Sequence, residues 1–186
     1  MKYENIKMPE ELLKFMDENI SYGYLDKNGK IHRIQDKDFN EDWFNLYRLE
    51  NNQDVLNTKV GNCFDQVEFE RTWFINNGYE IKTIFEMVLL DYENPYPMHS
   101  FLAYKEYNKW YLFEHADFAN KGIRGFNNIL DLINYQLYTY KIFLKKDFKI
   151  KDEELEKIYM SYFEEPKNHA NEEEYIEFVT RGKNIL

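Results

Sequence analysis

Cysteine is almost missing from this 186-residue chain, which carries only Cys63. A single thiol cannot close an intramolecular disulfide, so an oxidising compartment offers the fold no covalent stabilisation. Only four prolines and seven glycines occur, and neither type clusters into a linker. One domain spanning 1–186 is the economical expectation. No stretch approaches the ~18 consecutive apolar residues of a membrane-spanning helix. The first residues, Met1-Lys2-Tyr3-Glu4-Asn5-Ile6-Lys7, carry charge where a secretory leader needs its apolar run. These absences predict a cytoplasmic chain with no membrane partner. Basic charge is short as well, 24 Lys and Arg against 34 Asp and Glu, for a net charge of −10. Polyphosphates are repelled at that balance and no basic cluster offsets it, so no nucleic-acid partner is expected.

Aromatic residues, by contrast, are abundant, with 16 Tyr and 15 Phe. Hydrophobic residues make up 44% of the chain, enough to exclude disorder over most of its length and to build a core. Pro9 followed by Glu10, Glu11, Leu12, Leu13, Phe15 and Met16 predicts a short helix with proline and acids in its first turn. Asn28-Gly29, inside Tyr22 to Ile34, is a hairpin signal. Trp43, Phe44, Leu46, Tyr47 and Leu49 are spaced for another helix, and Glu50 to Lys59 is polar. From Phe64 to Asn77 the pattern is helical, apolar over a wide arc, and stopped by Gly78.

Beyond Gly78 the period changes. Tyr79 to Leu90, His99 to Glu106 and Lys109 to Glu114 predict strands. Asp91 to Met98 reads as a loop, and Tyr107-Asn108 as a tight connection. Phe126 to Leu144 predicts a helix, and Asp152 to Phe163 and Glu172 to Arg181 two more around a loop at Pro166. Helices, then a cysteine-headed helix, then antiparallel strands, then helices make an α+β arrangement.

Thiol catalysis needs a thiolate, a base and a group that orients the base. Cys63 sits where the Gly61-Asn62 turn enters a helix, facing the positive end of the helix dipole. His99, at the start of a strand, is the candidate base. Hairpin parity chooses its orienting acid. With a two-residue connection, His99 and Glu114 share a sheet face as diagonal neighbours roughly 7–8 Å apart at the backbone. With a three-residue loop, Asp117 takes that place. The shorter connection is commoner, which favours Glu114. The backbone amide of Cys63 is the expected oxyanion donor, with Asn57, Thr58 and Asn62 as candidates for a second.

Gly61-Asn62-Cys63-Phe64-Asp65, His99-Ser100-Phe101 and Lys109-Trp110-Tyr111-Leu112-Phe113-Glu114 together resemble the core of the transglutaminase-like superfamily. In that family a cysteine opens a buried helix, a histidine begins one strand, and an acid follows a tryptophan by four residues on the next. The resemblance covers about residues 60 to 118. It implies a papain-like fold, with Cys63 as nucleophile, His99 as base and Glu114 as orienting acid. The chain departs from the family's pattern in having glutamate as third member, with Asp117 close behind, and Phe64 where tryptophan is common.

The implied activity is acyl transfer, or amide or peptide hydrolysis, through a thioester, on a peptide or amide substrate and with no cofactor. A non-catalytic peptide-binding module of the same fold is the alternative. Cys63, His99, His115 and Asp117 could in principle ligate zinc, but the close Cys or His pairs of zinc sites are absent, so no metal is expected. By strand alternation His115 faces away from Glu114 and reads as structural or as a rim residue. His32 and His169 read as solvated, as do the acids Asp152, Glu153, Glu154 and Glu156 and those from Glu172 to Glu174. Asp117 has a second reading, as the cap of a turn at Ala119-Asn120.

Overall fold

Local signals place most of the elements. The structure, a computed structural model, describes residues 2–39, 42–89 and 97–186. Proline at the first position opens helix α1 (Pro9–Asn19), which buries Leu12, Phe15 and Met16. Strands β1 (Ser21–Leu25) and β2 (Ile31–Arg33) form the expected hairpin, with Gly29 at φ +85° in its turn. Helix α2 is a single turn, Trp43–Leu46, shorter than the aromatic spacing suggests.

The polar stretch after it holds helix α3 (Asn52–Thr58), capped at its start by the Asn51 side chain accepting from the Asp54 amide. Strand β3 (Val60–Gly61) then leads into helix α4 (Cys63–Asn76). Gly78, at φ +79°, follows that helix as its apolar pattern predicts.

Next come β4 (Glu80–Val88), β5 (Met98–Glu106) and β6 (Lys109–Glu114). The loop expected over Asp91 to Met98 lies almost wholly outside the described residues. Two further elements differ from expectation. The helix expected from Phe126 begins later, as α5 (Ile129–Asp147), because a short edge strand, β7 (Gly122–Phe126), precedes it. The helix expected over Asp152 to Phe163 is a 3-10 segment (Asp152–Lys157) followed by strand β8 (Ile158–Phe163). Its acids favour a helical first turn, but Ile158, Met160 and Ser161 are buried against the sheet, so tertiary pairing overrides the local preference. Helix α6 (Glu172–Val179) closes the chain.

Two sheets result. β2-β1-β3 is small, with β1 and β2 antiparallel and β1 and β3 parallel. β7-β6-β5-β4-β8 is antiparallel throughout. Alternation sends Phe85, Leu102, Tyr104 and Phe113 to one face, where Phe74 of α4 packs 4.6 Å from the Tyr104 ring and 5.2 Å from that of Phe113. Ile84, Phe101, Ala103 and Leu112 go to the other, against Leu132 and Ile133 of α5. The molecule is therefore α+β, with the cysteine-headed helix on one side of an antiparallel sheet. None of its described helices is long and apolar enough to cross a membrane.

Candidate active site

The β5–β6 hairpin sets the geometry. Tyr107 and Asn108 both have positive φ, 46° and 62°, which is the two-residue turn whose twist matches the strands. Its register pairs Glu106 with Lys109 and Leu102 with Phe113. By that parity His99 and Glu114 project from the same face. The His99 Nε2–H donates to Glu114 Oε2 at 2.7 Å. Glu114 is 2% exposed, and its other oxygen accepts the Asp117 amide at 2.9 Å. The Asp117 carboxylate is engaged elsewhere, capping the amides of Ala119 (2.9 Å) and Asn120 (3.3 Å).

With Nε2 committed, the ring presents Nδ1 to the thiol, and the Cys63 side chain hydrogen-bonds His99. Burial works against a charged ring, but the Glu114 carboxylate and Cys63 outweigh it and hold the His99 pKa well above 6.5. The ring is thus biased toward imidazolium.

Cys63 is placed by the first turn of α4. Asn62 caps the helix by accepting from the Phe64 (2.9 Å) and Asp65 (3.2 Å) amides, and Asp65 returns the bond to the Asn62 amide at 2.9 Å. Asp65 also accepts from the Tyr47 hydroxyl and the Glu50 amide, each at 2.8 Å, which ties the helix start to the chain before it. Gln66 donates to the Gly61 carbonyl at 2.6 Å and accepts from His115 Nδ1–H at 2.6 Å. It thereby links the cysteine turn to the end of β6. Burial keeps His115 neutral, with its pKa pushed down to about 4. Gly61 fits closely here, because a Cβ would sit 3.1 Å from that of Asp65 and push it back by a few tenths of an ångström.

Several candidates from the sequence fall outside the site. Asn57 accepts from Gln53, and Thr58 donates to Glu50. Only Asn62, whose Nδ2 is buried without a partner, remains near Cys63. His32, expected to be solvated, is instead 3% exposed, stacked on Tyr24 and 3.3 Å from Asp26. Glu172 is likewise fully buried rather than solvated. His169 remains at the surface beside Asp54. Among the described residues no group of three or more His, Cys, Asp and Glu is arranged to hold a metal.

One neighbour has no signal in the sequence. Parallel pairing of Tyr22 with Gly61 brings the Tyr22 hydroxyl onto Cys63, where it bonds the thiol and accepts from the Cys63 amide. Burial, and then the neighbouring Cys63, push the Tyr22 pKa well above 10, so the hydroxyl keeps its proton. Tyr22 and Met98 stand between two cavities. One, of about 260 Å³, is lined by Cys63, Asn62, Phe39, Trp43 and Phe148. The other, of about 400 Å³, contains His99, Phe118 and Tyr140.

No family model, curated protein or solved structure matches the chain.

Proposed function

We propose that the protein is a thiol acyltransferase or amide hydrolase of transglutaminase-like, papain-like architecture. The observation that carries this reading is one imidazole hydrogen-bonded to both a buried carboxylate and the thiol that opens a helix. In this reading the Cys63 thiolate attacks an amide carbonyl, and electrons move onto its oxygen. Collapse breaks the C–N bond while His99 gives its Nδ1 proton to the departing amine. The resulting thioester is released when His99 takes a proton from water, for hydrolysis, or from an incoming amine, for transfer. Glu114 holds the ring and stabilises its cation.

The Cys63 amide and the Tyr22 hydroxyl are the two donors for the oxyanion. Tyr22→Phe is therefore expected to slow acylation of Cys63 about 10- to 100-fold, below the cost of a fully preorganised donor because substrate must first displace the resting bond. An unchanged rate would remove Tyr22 from the mechanism. The direct test of function is incubation with p-nitrophenyl acetate, followed by intact-mass and peptide mapping. A burst and a single added acetyl on Cys63, both absent in Cys63→Ala, are expected. Acetylation on lysines alone would defeat the proposal.

A second reading, a peptide-binding module, has one observation on its side. At rest Cys63 is 6% exposed, and Tyr22 occupies both its thiol and its amide.

A further inference from the structure

Beside His99, the larger cavity has an unusual floor. Glu86 stands directly across from His99 in the β4–β5 register and is fully buried. Its Oε1 accepts from Gln136 Nε2 of α5 at 3.0 Å. Glu86 Oε2 and Gln136 Oε1 are both buried and without a partner. Glu86 is protonated at rest, and once it ionises, Oε2 and Gln136 Oε1 are two acceptors on adjacent side chains that each ask for a donor.

Among the described residues no Lys or Arg pairs with Glu86. The cavity wall brings none either; besides the His99 ring, which is already committed to Glu114 and Cys63, its charged members are Asp117 and Asp147. The rest of the wall is largely apolar, including Met98, Ala116, Phe118, Tyr140 and Phe143. An anion would face the Asp117 and Asp147 carboxylates, and the one cation beside it, His99, is already paired with Glu114. A neutral apolar ligand would leave both acceptors unsatisfied. A cationic head on an apolar arm satisfies both the floor and the walls.

We propose that this cavity is a subsite for an alkylammonium or alkylguanidinium side chain, bound by Glu86 and Gln136 at its floor. Resting on the thioester reading above, the subsite takes the side chain on the amine side of the scissile bond, because His99 delivers its proton to that side. The cation is thus a specificity element of a basic peptide-like substrate and not its reacting nitrogen.

The groups facing Glu86 are His99 of β5, Glu114 of β6, Asp117 beyond it, and Gln136 and Tyr140 of α5. Burial, reinforced by Glu114 and Asp117 against the pull of His99 and Gln136, raises its pKa to about 8. At pH 7 an entering cation therefore expels a proton from Glu86.

Calorimetric titration of the full chain with n-butylammonium and with 1-butanol as its neutral counterpart tests the site. Butylammonium is expected to bind at least tenfold more tightly. Its enthalpy at pH 7 should vary with the ionisation enthalpy of the buffer, as proton release requires. Glu86→Gln should lose about tenfold in butylammonium affinity and lose the buffer dependence. Gln136→Leu, a second route should Glu86→Gln not fold, should also weaken the amine and spare the alcohol. Equal binding of amine and alcohol, or unchanged amine affinity in the folded variants, overturns the proposal. Binding is read without turnover, so an inert Cys63 would sink the thioester reading and leave this result intact.

Discussion

Glu114→Gln is expected to slow acylation of Cys63 by about 10³- to 10⁴-fold, while Asp117→Asn costs no more than a few-fold. Glutamine fits the site, and its carbonyl can still accept the Asp117 amide. Its NH₂ group then points at His99 Nε2, where a donor is already present. The ring must move its proton to Nδ1 to relieve the clash, and the neutral imidazole then presents N–H, not a lone pair, to the thiol and cannot act as its base. Loss of the carboxylate also removes the strongest influence holding the His99 proton in place against burial. The pH–rate profile should lose its alkaline shoulder as well as its height, which simple loss of packing would not produce. Asp117 lies outside this circuit because its carboxylate caps Ala119 and Asn120. Asparagine keeps an acceptor for both amides, so the replacement should show mainly as loss of the bond from the Asn120 side chain, about 1 kcal/mol. If Asp117→Asn is the more damaging of the two, the orienting acid has been misassigned.

The second large effect is on stability. Burial raises the carboxyl pKa values of Glu86 and Glu172 to about 8 and of Glu68 to about 7, and raises those of Glu50 and Asp65 as well. Between the unfolded value near 4.5 and these folded values, the native state binds more protons than the unfolded chain. Stability therefore falls as pH rises through that window. The raised His99 pKa acts in the same direction, being lost as pH climbs through its folded value. His115 opposes this only between about 4 and its unfolded value of 6.5.

The loss should be clearest from pH 6.5 to 9. A pKa that differs by one between the folded and unfolded chain corresponds to about 1.4 kcal/mol, so several such groups should lower the melting temperature by at least ~5 °C. Glu86→Gln, which cannot ionise, should flatten the curve by about 1–4 kcal/mol over that interval. Melting temperatures that rise steadily from pH 6.5 to 9 would show that these acids are not buried as described.

The parts of this architecture that were legible in the sequence have local causes. Asn62 before Cys63 and Gly78 after Asn77 punctuate α4, and Tyr107-Asn108 is short enough for parity to place Glu114 with His99. Where pairing is between distant segments, the local signal misleads. Ile158 to Phe163 follows a run of acids that reads as helix, yet it is an edge strand because Thr83 to Val88 supply the partner. Gly122 to Phe126 carries two glycines and little β preference, and pairing with β6 alone makes it a strand. Tyr22 lies 41 positions before Cys63, and only the parallel β1–β3 pair unites them. Asn51 and Asp54 did carry a capping signal for α3, hidden in a stretch without apolar period. The burial of His32 and Glu172 has no local signal, since His32 lies between Ile31 and Arg33 and Glu172 opens a run of acids.

The central claim is that Cys63 and His99 work as one thiolate–imidazolium pair, and the rate of Cys63 alkylation by iodoacetamide against pH tests it most directly. Near pH ~6 the wild-type thiol is expected to react at least about tenfold faster than that of His99→Ala, because the raised imidazolium beside it favours the thiolate. A thiol that is inert throughout, or whose profile is the same in both proteins, would contradict the account.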